Sequence, residues 1–193
     1  VYKSAVANPP SIGYNKPIAK IHVQKEYIMW YAILGAVLLA GDQILKYWVV
    51  THLAVGESAP FLPGFMQLTR LHNYGAAWSS LSGRTVLLVV FTAVLLAAVA
   101  LLLIKKVVRH WTGITACTLI LSGGIGNIID RIVHGYVVDM FDLQLFSYPV
   151  FNLADCCVVV GAILGGIYYL FLYEKYDKKK KEPDHAHDPS DPS

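Results

Sequence analysis

The chain has 193 residues, of which 55% are hydrophobic and only 15% charged, with a mean hydropathy of +0.49. Ordinary soluble domains carry about 25% charged residues, so the composition argues against a soluble globular protein and for a membrane protein. The formal net charge is +3, and no nucleic-acid partner is expected.

Residues 1–26 hold several prolines and the cations Lys3, Lys16, Lys20 and Lys25, and read as a poorly ordered extension. Because the sequence opens on Val1, a start upstream of it is expected. A span of about 27–47 follows, long enough to cross about 30 Å of hydrocarbon as a helix. It superficially resembles a secretory signal peptide. Its apolar stretch is long, lacks a convincing cleavage site and precedes three more spans, so a retained helix is expected. Between 53 and 78 the residues Pro60, Pro63 and Gly64 interrupt the chain, and Gln67–His72 alternates in polarity. Short strands are expected there, with His72-Asn73-Tyr74-Gly75 as a turn and Trp48 and Trp78 at the membrane interface.

Further spans are expected at about 85–104, 113–132 and 156–173. The third contains Ser122, Gly123, Gly124, Gly126, Asn127 and Asp130, a composition suited to close packing within a bundle. Residues 174–193 form a charged tail, expected to be weakly ordered from 177 onward, whose lysines, Lys178 to Lys181 among them, either touch anionic lipid headgroups or are simply solvated. Lys105, Lys106 and Arg109 lie between spans two and three, whereas the opposite side has little beyond Arg70 and Arg84. The positive-inside rule then places both termini and the 105–112 loop in the cytoplasm, with 48–84 and 133–155 facing outward. Cys117, Cys156 and Cys157 form no metal or redox spacing and read as small buried hydrophobes.

On this topology every strongly polar residue of the spans falls near the outward face. Asp42 and Lys46 lie in the outward part of the first span, and Asn127, Asp130 and Arg131 near the outward end of the third. Asp155 opens the fourth span, and Asp139 lies in the outward loop before it. Ionisable groups are costly at this depth, so one shared site is indicated. Plain readings stand beside the functional ones. Asp42 and Lys46 are spaced as a helical ion pair, which can also border a site. Asn127, Asp130 and Arg131 share a helix face that either lines the site or packs the bundle. Asp130 and Arg131 point apart by about 100°, so Arg131 is expected to serve another acceptor. Asp155 also suits the third position of a helix capped by Asn152. Asp139 and Asp155 have no basic partner nearby in sequence, which suggests a pair of acids working in acid–base chemistry. Asp142 is a rival for Asp139, although a loop carboxylate there is expected to be solvated. No HExxH motif, serine–base pair or phosphate loop competes. Two alternatives remain, a transporter or proton relay and a non-catalytic lipid or signal-peptide binder.

Five segments in this order and spacing resemble the lipoprotein signal peptidases, the bacterial type II signal peptidases. They are Asp42 with Lys46, Asn73-Tyr74-Gly75-Ala76-Ala77-Trp78, Gly126-Asn127-Ile128-Ile129-Asp130-Arg131, Gly135-Tyr136-Val137-Val138-Asp139 and Phe151-Asn152-Leu153-Ala154-Asp155. The resemblance covers residues 27–173. Trp78 and Met140 stand where the family often has Phe, and the N-terminal extension is outside it. The resemblance implies a mainly α membrane protein, a four-transmembrane-helix bundle with a small outward-facing β-cradle. It implies an aspartic endopeptidase in which Asp139 and Asp155 activate water, with no metal or organic cofactor. Asn73, Gly75, Asn127, Arg131 and Asn152 would hold the substrate backbone, with Asp42, Lys46 and Asp130 in support. The implied substrates are prolipoproteins carrying a diacylglyceryl cysteine, cut just before that residue. A monomer in contact with membrane lipids, in the bacterial cytoplasmic membrane, is expected.

Overall fold

The computed structural model describes residues 16–75 and 83–178, with the backbone alone for 16–27. The expectations about residues 1–15, Trp78 and the lysines from 179 onward lie outside the described residues. Helix α1 (Lys16–His52) leads into strands β1 (Ser58–Leu62) and β2 (Met66–Asn73), then helices α2 (Thr85–Ile104) and α3 (Trp111–His134). Strand β3 (Val137–Leu143) precedes α4 (Leu153–Ile167), which continues through a π turn at Tyr168–Leu172 into α5 (Tyr173–Tyr176). Among the described residues four stretches are long and apolar enough to cross a membrane: Ile28–His52, Thr85–Ile104, Trp111–His134 and Leu153–Tyr176. The fold is thus mainly α with a small antiparallel sheet, as the sequence led us to expect.

Helix α3 is the centre of the bundle. Helices α1, α2 and α4 all pack on it, while α1 and α2 scarcely meet. Glycine permits the closest of these approaches. A methyl at Gly161 of α4 would sit 2.9 Å from the Ala116 carbonyl oxygen of α3, and one at Gly123 would run into the carbonyl of Ala154. Helix α3 ends where Gly135 turns left-handed (φ 81°) and donates its N–H to Arg131 O, which aims the chain into β3.

The sheet has the order β1-β2-β3, all antiparallel. Val138 and Met140 of β3 pack against Val49 and Leu53 on the last turns of α1, with no more than 8% of any of the four exposed. Arg70 of β2 donates to the free carbonyls of Val50 (3.0 Å) and Leu53 (2.9 Å), so a cation closes the C-terminus of α1. The sheet is thereby fixed to the end of the bundle where α1 and α3 finish and α4 begins.

Three local expectations are corrected. Asp139 lies on a strand rather than in a loop, because β3 pairs with β2 along Met66↔Leu143 to Asn73↔Val137. Helix α1 starts at Lys16, inside the stretch expected to be poorly ordered. Asp177, assigned to a weakly ordered tail, is 6% exposed. It accepts the backbone N–H of Arg109 (2.9 Å) and His110 (2.9 Å) and the Tyr168 hydroxyl (2.6 Å), pinning the end of α5 to the start of α3.

Candidate active site

Asp139 projects from β3 and is 1% exposed. Asn73 stands opposite Val137 in the register, so its side chain shares a sheet face with Asp139 two residues along. Its Nδ2 donates to Asp139 Oδ2 at 2.8 Å, while its Oδ1 accepts the N–H of Gly75 at 2.9 Å. This turn fixes which way the amide points. Asn152 Nδ2 donates to Asp139 Oδ1 at 2.7 Å.

Asp155 is positioned by the start of α4. Asn152 caps the helix by accepting Asp155 N–H (2.9 Å), and Asp155 Oδ2 accepts Asn152 N–H in return (3.2 Å). Asn127 of α3 donates to Asp155 Oδ1 at 2.8 Å, and its own Oδ1 accepts from Asn152 Nδ2 at 3.2 Å. Asn152 thus links the two carboxylates, touching Asp139 with its amide and capping with its carbonyl. Among the described residues neither acid has an ion pair. Burial, and next the charge of Asp155, raise the pKa of Asp139 to about 7, against the opposing pull of the Asn73 and Asn152 amides and Lys46.

Beneath the acids lies a buried charge cluster. Lys46 places its ammonium on Asp42 Oδ2 (2.8 Å), Asp130 Oδ2 (2.9 Å) and Asn127 Oδ1 (3.0 Å), which matches its three protons. The expected Asp42–Lys46 pair is present, and it extends to α3. Asp42 Oδ1 accepts the N–H of Ala154 (2.9 Å), and Asp130 Oδ2 that of Val138 (3.1 Å). Ala154 immediately precedes Asp155, and Val138 immediately precedes Asp139. Each candidate acid therefore follows a backbone N–H tied to one carboxylate of the cluster. A methyl at Gly126 would lie 2.8 Å from Asp42 Oδ2, so the cluster needs glycine there.

Arg131 reaches other acceptors, Gly75 O (2.8 Å) and Asn127 O (3.2 Å), and so braces the turn after β2. Asp142 is engaged on the sheet by Gln67 (2.7 Å) and Thr69 (3.2 Å). His72 stacks on Tyr136 with ring centroids 3.8 Å apart. Burial, then Arg70 and His134, lower its pKa. Sequence reading missed Gln43, whose Nε2 lies within 3.1 Å of Asp130, 3.2 Å of Asp42 and 3.3 Å of Gly126 O. An amide beside Asp42 in an apolar span was the available signal.

Comparison with known proteins bears on the family and the fold. Residues 34–171 match the family described as Signal peptidase (SPase) II. The chain is 41% identical over 151 residues to the lipoprotein signal peptidase of Enterococcus faecalis, covering 78% of this chain and 93% of that protein. It is 37% identical over 150 residues to that of Clostridium acetobutylicum, covering 76% and 97% respectively. Two solved structures described as bacterial membrane enzymes superpose with TM-scores of 0.70 and 0.69 at 34% and 33% identity. They cover 81% and 75% of this chain and 95% of each solved chain. A transporter or relay reading is not favoured by these relatives. With family match, relatives and fold in agreement, the chain belongs to the signal peptidase II family, aspartic membrane peptidases that remove signal peptides from prolipoproteins.

Proposed function

We propose that Asp139 and Asp155 form the acid–base pair of this peptidase, and that it cuts diacylglyceryl-modified prolipoproteins just before the lipid-bearing cysteine. The observation that supports this most is the amide frame, which holds both carboxylates at the end of the bundle without an ion pair. Two close carboxylates in a partly dry site retain one proton between them. The ionised member takes a proton from water as its oxygen attacks the scissile carbonyl. The protonated member gives its proton to the developing oxyanion. Collapse of the tetrahedral intermediate breaks the C–N bond, and the departing nitrogen takes up a proton from the pair.

A substrate backbone in lipid needs hydrogen-bond partners. Asn73, Gly75, Asn127, Arg131 and Asn152 surround the acids with side-chain and backbone groups of that kind. Asp42, Lys46 and Asp130 support the frame from below. The peptidase domain is 27–173, flanked by cytoplasmic segments 1–26 and 174–193. It acts as a monomer in the bacterial cytoplasmic membrane with the acids near its outer face, and it needs no metal or organic cofactor.

The test is gel-shift cleavage of a lipidated prolipoprotein in detergent by Asp139→Ala, Asp155→Ala and, as control, Asp142→Asn. The first two should lose about 10²–10⁴ in rate, the span of positioned acid–base catalysis, while remaining folded by thermal unfolding. The control should cut normally. Substantial cleavage by both alanine variants would place the working acids elsewhere.

A further inference from the structure

Away from the acids, α1 and α2 both lean on α3 without closing on each other. The gap is a cavity of about 990 Å³, at the top of the range for small-molecule sites. Its walls are apolar, formed by Ala32, Gly35 and Leu39 of α1, Leu103 of α2, and Leu121 and Ile125 of α3. The hydroxyls on its floor are already committed, Thr118 to Ile114 O (2.9 Å) and Ser122 to Leu119 O (3.0 Å). Among the described residues no acidic side chain lines it. At the α2–α3 turn the lining ends in Lys106, Arg109 and Trp111, the last 65% exposed.

Lys106 is the unusual residue. It sits in the left-handed region (φ 54°) at the end of α2. Its N–H bonds Leu103 O (3.0 Å), and Val107 N–H bonds Leu102 O (2.9 Å), a helix closure in which glycine is the favoured residue. A lysine held there against backbone preference points to a use for its side chain. Among the described residues its ammonium has no ion pair, whereas Arg109 shares its charge with Asp177 (3.3 Å).

We propose that this groove holds one anionic phospholipid, its phosphate at Lys106 and its acyl chains along the apolar wall. Basic pockets between membrane helices suit such headgroups, and Trp111 suits the interface beside them. Charge selects this occupant over a signal-peptide helix, whose basic leading segment would meet Lys106 and Arg109. The site is separate from the acid pair and does not depend on its assignment.

The test combines native mass spectrometry and thermal unfolding of the full chain in detergent. Phosphatidylglycerol and phosphatidylcholine with identical acyl chains are added in turn. Phosphatidylglycerol should be retained roughly fivefold better, the factor one basic residue near an anionic surface gives, and should raise the unfolding temperature. Lys106→Gln and Lys106→Gly should both abolish that preference while cleaving prolipoprotein normally. Without lipid, Lys106→Gly should unfold at or above the wild-type temperature, because it relieves the left-handed backbone. Ala36→Trp, on the groove wall, should exclude both lipids. Equal retention of the two lipids, or a preference that survives loss of Lys106, overturns the proposal. So does a raised KM for prolipoprotein in Ala36→Trp at unchanged kcat, since the groove would then be holding the substrate.

Discussion

Asp139 receives one amide proton on each carboxylate oxygen, from Asn73 and from Asn152. Neither amide can turn round freely, since Asn73 Oδ1 holds Gly75 N–H and Asn152 Oδ1 holds Asp155 N–H. An asparagine at 139 would therefore bring its own amide against one of these donors, which is why alanine is the cleaner deletion. Burial and the charge of Asp155 raise Asp139 to about 7, so cleavage should fall as pH rises through about 7 and the pair loses its shared proton. It should fall again at low pH, where the ionised partner is protonated. The same shift bears on stability. The folded protein binds this proton more tightly than the unfolded chain, so its stability should decline as pH rises from the ordinary 3.8 towards about 7. Thermal unfolding across that window should show a slope in wild type that is shallower in Asp139→Ala; equal slopes would assign the pH dependence to other groups. The cysteines should be dispensable. Cys157 is 6% exposed and packs beside Gly123, and neither it nor Cys156 hydrogen-bonds to the acids. Replacing both with alanine should leave the cleavage rate within about threefold, as expected for small hydrophobes of which Cys157 is buried and Cys156 half-buried. At this scale the sequence pointed to the two proposed acids, because carboxylates without partners stand out among apolar neighbours. It hid the bonds from Asp42 to Ala154 N–H and from Asp130 to Val138 N–H, since a backbone partner leaves no mark in residue type.

Between elements, Lys46 is the joint. Its ammonium fastens α1 to α3 through Asp130, and the two carboxylates it bridges reach α4 and β3. Lys46→Ala would leave Asp42 and Asp130 buried without a counter-ion, and should cost about 3–5 kcal/mol, measurable by thermal or chemical unfolding. A triple variant, Lys46→Met with Asp42→Asn and Asp130→Asn, should recover much of that stability, because a neutral buried set avoids the desolvation of charge. It should remain slow in cleavage, because the anchors of the residues before Asp139 and Asp155 have been weakened. If the triple variant instead cuts like wild type, the cluster serves stability alone. The element scale also shows where sequence patterns failed. Strand β3 went unrecognised because Val137, Val138, Asp139 and Met140 are all buried, which removes the alternation that marks a half-exposed strand. Helix α4 begins at Leu153 rather than 156, since Asp155 interrupts the apolar run on which hydropathy depends. The capping pair Asn152 and Asp155 was nevertheless visible and gives the true start.

At the scale of the whole molecule, four helices long enough to span bring both ends of the described chain to one side of the bundle, and the sheet and both acids to the other. Chain breakers and the alternation of Gln67–His72 pointed to short strands in 53–78, but the third strand had to come from a segment more than sixty residues away, a pairing that no local pattern encodes. The outward side is the one we propose from charge alone: Lys105, Lys106 and Arg109 gather at the α2–α3 turn, away from the sheet. That orientation can be tested with single cysteines in a background where Cys117, Cys156 and Cys157 are replaced. Gln144, exposed just beyond β3, and Lys105, exposed just beyond α2, lie at opposite ends of the bundle. A membrane-impermeant maleimide applied to intact cells should label Gln144→Cys and leave Lys105→Cys untouched until the membrane is permeabilised. The reverse pattern would put the acids on the cytoplasmic side. There they would meet a prolipoprotein at the basic leading end of its signal peptide, and the cleavage proposed here could not occur at the junction with the lipid-bearing cysteine.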